Sequence, residues 1–443
     1  MIQDLLQHPA SLLAVLALPL LLVVVPWRVG WVGTLVVLAW ADSAMPAADL
    51  PRKIAVRAAV LVLLFAQGLV RLRGRGRGAP PPVPVLAFLA LALVSTAWSE
   101  TPVPTLGHAG LLTLVVVVAF SHVARHGASG PTATATMESA AVAMLALVAL
   151  GLVPFGRGEP LFVAGRLRGF FSNANGLGIT CALLAPWAVL RAARTTGVAR
   201  AVAVAVVVGL AGLAFLSGSR TGFGGLVLGC SVTLFLRQPS RSLAVAIFCG
   251  VAIALASLAG GGDVDLEEGA VGQFARAETV SRLSGRLDRW QEGIERFEES
   301  PALGHGFKAS WRYEAPDEAD AQAGAVTASG TNYHSQHVET LVDLGAVGEV
   351  LFLAVLWSAW RRARAVARRR DDVVSARFGA AAAGTLAAAA LDSFFHNWLL
   401  TAGSPYAFFV WSLVATTARL SGVVAPSGAP RPLAAPVAVP GVP

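Results

Sequence analysis

Four short stretches of this chain bring together side chains that can hold anions and move protons. The first runs Arg166-Leu-Arg168-Gly-Phe-Phe-Ser-Asn-Ala-Asn175-Gly. The second is Ser217-Gly-Ser219-Arg220-Thr-Gly222. The third is Ser284-Gly-Arg286-Leu-Asp-Arg289-Trp290, followed by Pro301-Ala-Leu-Gly304-His-Gly306. The fourth is His334-Ser-Gln-His337-Val-Glu339-Thr-Leu-Val-Asp343-Leu-Gly345. A guanidinium presents a planar fork of donors that matches phosphate oxygens, and it stays charged. A histidine beside it can accept a proton near neutral pH. Together these types suit a phosphate or pyrophosphate handled next to a proton transfer. Taken singly, each stretch has a plainer reading. Arginines near helix ends snorkel to headgroups, Gly and Ser make turns, and a lone histidine is more often structural. The balance shifts because the topology below puts all four on one face.

No carboxylate-rich or Cys/His pattern typical of a metal site stands out. Asp263, Asp265, Glu267 and Glu268 could in principle hold a divalent cation, but a solvated acidic loop is the simpler reading. Neither a metal nor another cofactor is expected. Cys181, Cys230 and Cys249 fall inside apolar runs and read as small buried residues rather than a disulfide framework.

The elements that position these stretches are set by the bilayer. The chain is 55% hydrophobic and 14% charged, with a mean hydropathy of +0.65. A soluble domain carries about 25% charged residues, so most of this surface cannot face water. A hydrocarbon core about 30 Å thick takes about 20 mostly apolar residues per helix. Such runs lie near 9–25, 29–42, 54–70, 84–98, 107–122, 137–153, 170–190, 200–216, 221–236, 241–259, 345–360, 378–395 and 405–420. The expected fold is an all-α polytopic membrane protein with about 12 transmembrane helices. The first run reads as a retained anchor, since Asp4 precedes it and no basic n-region does.

The net charge of +8 would also fit a nucleic-acid binder. The arginines cluster between apolar runs, however, which is the positive-inside pattern; no nucleic-acid partner is expected. Four basic loops, at 71–77, 191–200, 237–241 and 361–370, fall on one side, read as the cytoplasm. The loops near 99–106, 154–169, 217–222, 260–336 and 396–404 then lie outside. They still carry Arg157, Arg166, Arg168, Arg220, Arg276, Arg282, Arg286 and Arg289, which the rule disfavours there.

The long hydrophilic stretch 260–336 has structure of its own. Leu283, Leu287, Trp290, Ile294 and Phe297 recur at helical spacing, with Ser284 as N-cap and Pro301 beyond the end. That predicts an amphipathic helix on the outer face, either a lid that merely packs or part of a site. The expected organisation is an N-terminal transmembrane bundle over 1–259, an extracytoplasmic catalytic loop over 260–336, C-terminal transmembrane helices over 337–422 and a disordered cytoplasmic tail over 423–443.

At these residues the chain resembles the O-antigen ligase family of bacterial membrane glycosyltransferases, whose relatives include O-antigen polymerases. The family pattern Gly-Phe-x-Asn-x-Asn is matched from Gly169 to Asn175, and Ser-x-Ser-Arg-x-Gly from Ser217 to Gly222. Arg-Leu-x-x-Trp is matched from Arg286 to Trp290, and Pro-x-Leu-Gly-x-Gly from Pro301 to Gly306. His-Asn-x-x-Leu ahead of Leu-Gly-x-x-Gly is matched from His334 to Gly348, with Ser335 replacing Asn and Val338 replacing Leu. Order and spacing agree over about residues 165–360.

The resemblance implies a polyprenyl-pyrophosphate-linked glycan as donor, used outside the bacterial inner (cytoplasmic) membrane without metal. It makes His334, Arg286 and Arg220 catalytic, His334 as general base and the arginines on the pyrophosphate. It leaves Arg168, Asn175, Ser219, Arg289 and His337 to hold substrate, with His337 a competing histidine. The implied acceptor is lipid A core or another glycan, and membrane lipids surround the whole. O-antigen ligation and polymerisation share this donor chemistry. A flippase of lipid-linked sugars or other transporter would need charges within the spans, and most charges here sit at span ends. A non-catalytic scaffold reading anionic lipids is the third class.

Overall fold

The computed structural model describes residues 27–41, 50–71, 80–123, 129–152, 161–163, 165–169, 171, 173–237, 286–310, 312–313, 330–331 and 333–422. The apolar runs at 9–25 and 241–259, the acids at 263–268, Ser284 and the tail 423–443 lie outside the described residues.

Twelve α-helices account for most of what is described: α1 Trp27–Ala41, α2 Leu50–Arg71, α3 Val83–Val94, α4 Pro102–Val118, α5 Gly130–Gly151, α6 Ala174–Arg194, α7 Gly197–Leu216, α8 Arg220–Arg237, α9 Arg286–Glu299, α10 Gln336–Ala367, α11 Val373–Ser393 and α12 Pro405–Gly422. Two short antiparallel ribbons add β1 Phe162–Val163 with β2 Arg166–Leu167, and β3 Arg312–Tyr313 with β4 Gly330–Thr331. All the helices except α9 grow from the apolar runs. Six are long and apolar enough to cross a membrane: α5, α6, α7, α10, α11 and a span over Pro102–Ser121 that extends α4. The chain is therefore a multi-pass membrane protein. The larger number of spans expected from the runs goes beyond these six among the described residues, because several apolar helices are short.

α8 packs between α6 and α11, and α10 between α11 and α3. Without a hydrophobic force between helices inside lipid, close packing relies on small residues. α11 supplies them as Gly379, Ala380, Ala381, Ala382, Ala383 and Gly384, all buried. Buried Trp31, Phe88, Phe307, Phe352, Phe378 and Phe408 fill the larger gaps.

α10 is broken. Gly345 has φ +66° inside it, a left-handed conformation that costs a residue with a Cβ. A Cβ there would also meet the Ala302 carbonyl oxygen at 2.3 Å. The break is filled by the chain after α9. Ala346 N–H donates to Pro301 O at 2.8 Å and Val347 N–H to Ala302 O at 3.3 Å. In return Val342 O accepts from His305 N–H at 3.0 Å and Asp343 O from Gly306 N–H at 2.8 Å. Backbone groups orphaned by the break must find partners away from water, and the segment Pro301–Gly306 provides them.

Candidate active site

Arg220 opens α8, just after the tight turn that follows α7. Ser219 accepts the Gly222 N–H at 3.2 Å through its hydroxyl oxygen, and its own N–H donates to Ser217 Oγ at 3.2 Å. The turn is fixed from outside by Arg166, whose Nε–H donates to Ser217 O at 2.8 Å and whose Nη2 donates to Asn175 Oδ1 at 2.6 Å. α8 then runs tightly along α6, where a Cβ on Gly222 would fall 2.6 Å from the Gly178 carbonyl carbon. So the first two sequence patches form one unit with Arg220 at its edge. Ser219 and Asn175 are already committed to holding it. Arg166, which the sequence reading left unassigned, is the clamp. Arg168 follows β2, half-buried, with its N–H on Leu161 O at 2.8 Å.

α9 docks by its Trp290. The indole N–H donates to Tyr333 O at 3.0 Å, and the ring lies 6.0 Å from that of Phe395. Gly293 is buried against Tyr333 and Val338. This holds Arg286 and Arg289 beside the turn that carries His334. Leu287 and Ile294, on the expected apolar stripe, remain exposed.

His334 sits at φ +50°, ahead of Ser335, which caps α10 by accepting the Val338 N–H at 3.4 Å. Non-glycine residues in this conformation are uncommon and concentrate at functional turns. Although one side of His334 is open to solvent, its pKa is lowered to about 4, by burial first and then by Arg286, His396 and Arg289. Arg286 is in turn held below its ordinary value, by burial first. Asp392 pushes it up and Arg220 pushes it down. Arg286 therefore lies within electrostatic reach of both His334 and Arg220, and Arg289 within reach of His334, although the chain separates them widely.

His337 faces elsewhere. It is buried, with Nδ1 2.7 Å from Glu349 Oε1 and Nε2 3.1 Å from Ser393 Oγ, and its ring lies 4.2 Å from that of Phe394. Of the two histidines near α10's start, His334 is the one beside the arginines.

Two groups join the cluster that sequence reasoning missed. His396 Nε2 lies 3.4 Å from Arg286 Nη2, and its Nδ1 lies 2.9 Å from Asp392 Oδ1. Since guanidinium only donates, Nε2 accepts and Nδ1–H donates to Asp392. Asp392 Oδ2 also accepts from the Trp398 indole at 2.5 Å. Behind them is a buried charge clamp. Lys308 Nζ donates to Glu339 Oε2 at 2.7 Å, with both side chains almost wholly buried, and Asn397 donates to the other Glu339 oxygen. Asp343 accepts the N–H groups of Lys308 at 2.9 Å and Ser310 at 3.1 Å. The one available signal for His396 was its position in an outer loop after a span; nothing nearby matched a pattern.

Such an arrangement can hold a dianionic group among guanidinium donors next to a neutral imidazole. Residues 204–353 match the sequence model of a family described as O-Antigen ligase. Over that stretch the chain is similar to this family. It is also 33% identical over 165 residues to the exopolysaccharide production protein ExoQ of Rhizobium meliloti (strain 1021), a match covering 36% of this chain and 36% of that protein. The ligase-like stretch contains Ser219, Arg220, Arg286, Arg289, His334 and the Pro301–Gly306 plug. Arg166, Arg168, Asn175, Asp392 and His396 lie outside it.

Proposed function

We propose that this chain transfers a glycan from a polyprenyl-pyrophosphate carrier to an acceptor hydroxyl at the outer, periplasmic surface of the bacterial inner membrane. The observation that supports this best is the placing of Arg286 within reach of both His334 and Arg220. Two cationic forks and a histidine kept neutral, by burial first and then by Arg286, are what a pyrophosphate leaving group and a proton acceptor require. The acceptor oxygen attacks the anomeric carbon and its proton passes to His334. The bond from that carbon to the pyrophosphate breaks, and its electron pair stays on the departing oxygen. Attack from the opposite face inverts the centre. Arg220 and Arg286 hold the charge as it grows, which favours the transition state over the ground state. Removing either costs roughly 10²-fold or more in rate. His396, fixed in one tautomer by Asp392, directs the Arg286 guanidinium. Arg289 and Arg168 serve the same phosphates or the first sugars, and no metal takes part in this scheme.

The family model favours ligation of O-antigen to lipid A core. The likeness to an exopolysaccharide production protein favours a second acceptor, the growing end of another lipid-linked polysaccharide. A deletion strain separates them: unattached polymer of normal length on gels means ligation, whereas single repeats mean polymerisation. Replacement His334→Ala should abolish transfer while the protein still inserts in the membrane. Full transfer by that variant would favour a flippase or a scaffold instead.

A further inference from the structure

At the end of α10 remote from the candidate site lies a second cationic recess. A cavity of about 450 Å³ is bounded by Pro84 of α3, Ala354, Trp357, Ser358, Arg361, Arg362 and Ala365 of α10, and Ser421 of α12. Arg362 is tethered there, with Nε–H on Ser358 Oγ at 3.5 Å and Nη1–H on Ser421 Oγ at 3.3 Å. Arg361 stands exposed one turn beyond Trp357, whose side chain is 60% exposed. No acid is among the lining residues. Away from the arginines the same helix presents Leu353 and Val350 outward, 47% and 64% exposed. One face of α10 thus offers, in order, an apolar track, an indole and two guanidinium groups.

We propose that this recess binds the phosphate of an anionic phospholipid, with an acyl chain along Leu353 and Val350. Snorkelling alone would send arginines freely to any headgroup. Here Arg362 is braced by two serines from different helices around a recess large enough for a headgroup. Basic pockets between transmembrane helices recognise anionic lipids in this way, and an exposed tryptophan marks the level of the interface. The site is independent of the transfer chemistry.

The test uses the full-length protein in detergent and native mass spectrometry, with phosphatidylglycerol against phosphatidylcholine of the same acyl chains. Phosphatidylglycerol should be retained preferentially. Arg361→Gln, which removes an exposed charge without touching the serine brace, should weaken that retention about 5-fold, and the additional Arg362→Gln roughly 30-fold in all. Arg361→Lys should keep the preference. Arg200→Gln, on α7, serves as the control and should also keep it. Equal retention of the two lipids by the unaltered protein overturns the proposal. So does an undiminished preference for phosphatidylglycerol in the double Gln variant, provided that variant elutes as the unaltered protein does.

Discussion

In the proposed transfer His334 takes the acceptor's proton, and its environment makes a measurable claim. Burial and Arg286 lower its pKa to about 4 against an ordinary 6.5. The neutral, proton-accepting form is then fully present at pH 7 and is lost only as pH falls through about 4. Replacing Arg286 by Gln removes one of the forces lowering that pKa. The acid limb of kcat/KM, which reports the free enzyme, should therefore move to higher pH in Arg286→Gln, in addition to the fall in rate. A limb that stays in place would separate Arg286 from the base. His334, Arg286 and Arg220 could be singled out in the sequence because each sits in a short pattern of its own. His396 and Asp392 were not, because a side chain that joins a site only through a fold carries no local signature. Arg166 and Arg168 show the same limit. They stand two residues apart, and spacing alone could not reveal that Arg166 is the clamp on Ser217 and Asn175.

Among the elements, α9 was readable in outline. Its periodic apolar positions predicted a helix beginning at Arg286 and ending before Pro301, and α9 spans Arg286–Glu299. The stripe overstated what is covered, since docking uses Trp290 and Gly293 and leaves Leu287 and Ile294 outside. Hydrophobic spacing says which residues share a face, not how wide the partner is. The break in α10 was less visible. Leu344-Gly345 reads from sequence as a turn leading into a span, whereas helix lies on both sides of it. The plug Pro301–Gly306 explains the need for that glycine. Gly345→Ala should strain the left-handed turn and push against Ala302, with a loss of about 1–3 kcal/mol from the backbone conformation alone. Thermal unfolding in detergent followed by tryptophan fluorescence would read it as a lower Tm. An unchanged Tm would mean that the plug can shift at no cost.

The whole molecule was legible as a membrane protein from composition alone, since 14% charged residues cannot coat a soluble surface of this size. The number of spans was less legible, because a short apolar helix and a membrane-crossing one look alike until their lengths are fixed. What ties distant parts together is the buried clamp Lys308–Glu339–Asn397, linking the residues just after the plug, the start of α10 and the loop after α11. Breaking a buried ion pair on one side strands the other charge and costs about 3–5 kcal/mol. Lys308→Met should therefore destabilise the protein strongly. Lys308→Met with Glu339→Gln should recover part of the loss, seen as a favourable coupling in a double-mutant cycle of unfolding free energies. Additive losses would show that the two residues act separately.

The interrupted helix also serves as a ruler. At about 1.5 Å per residue, Ala346–Trp360, the part between the break and the first arginine, rises ~22 Å, short of the ~30 Å hydrocarbon layer. The break would then lie inside the layer, with exposed Val347 and Val350 directly below it. The piece above, Gln336–Leu344, is ~13 Å long, and the crossing needs it. Carboxylates at that depth cannot rely on water, which is why Glu339 and Asp343 are saturated by Lys308, Asn397 and the Ser310 N–H.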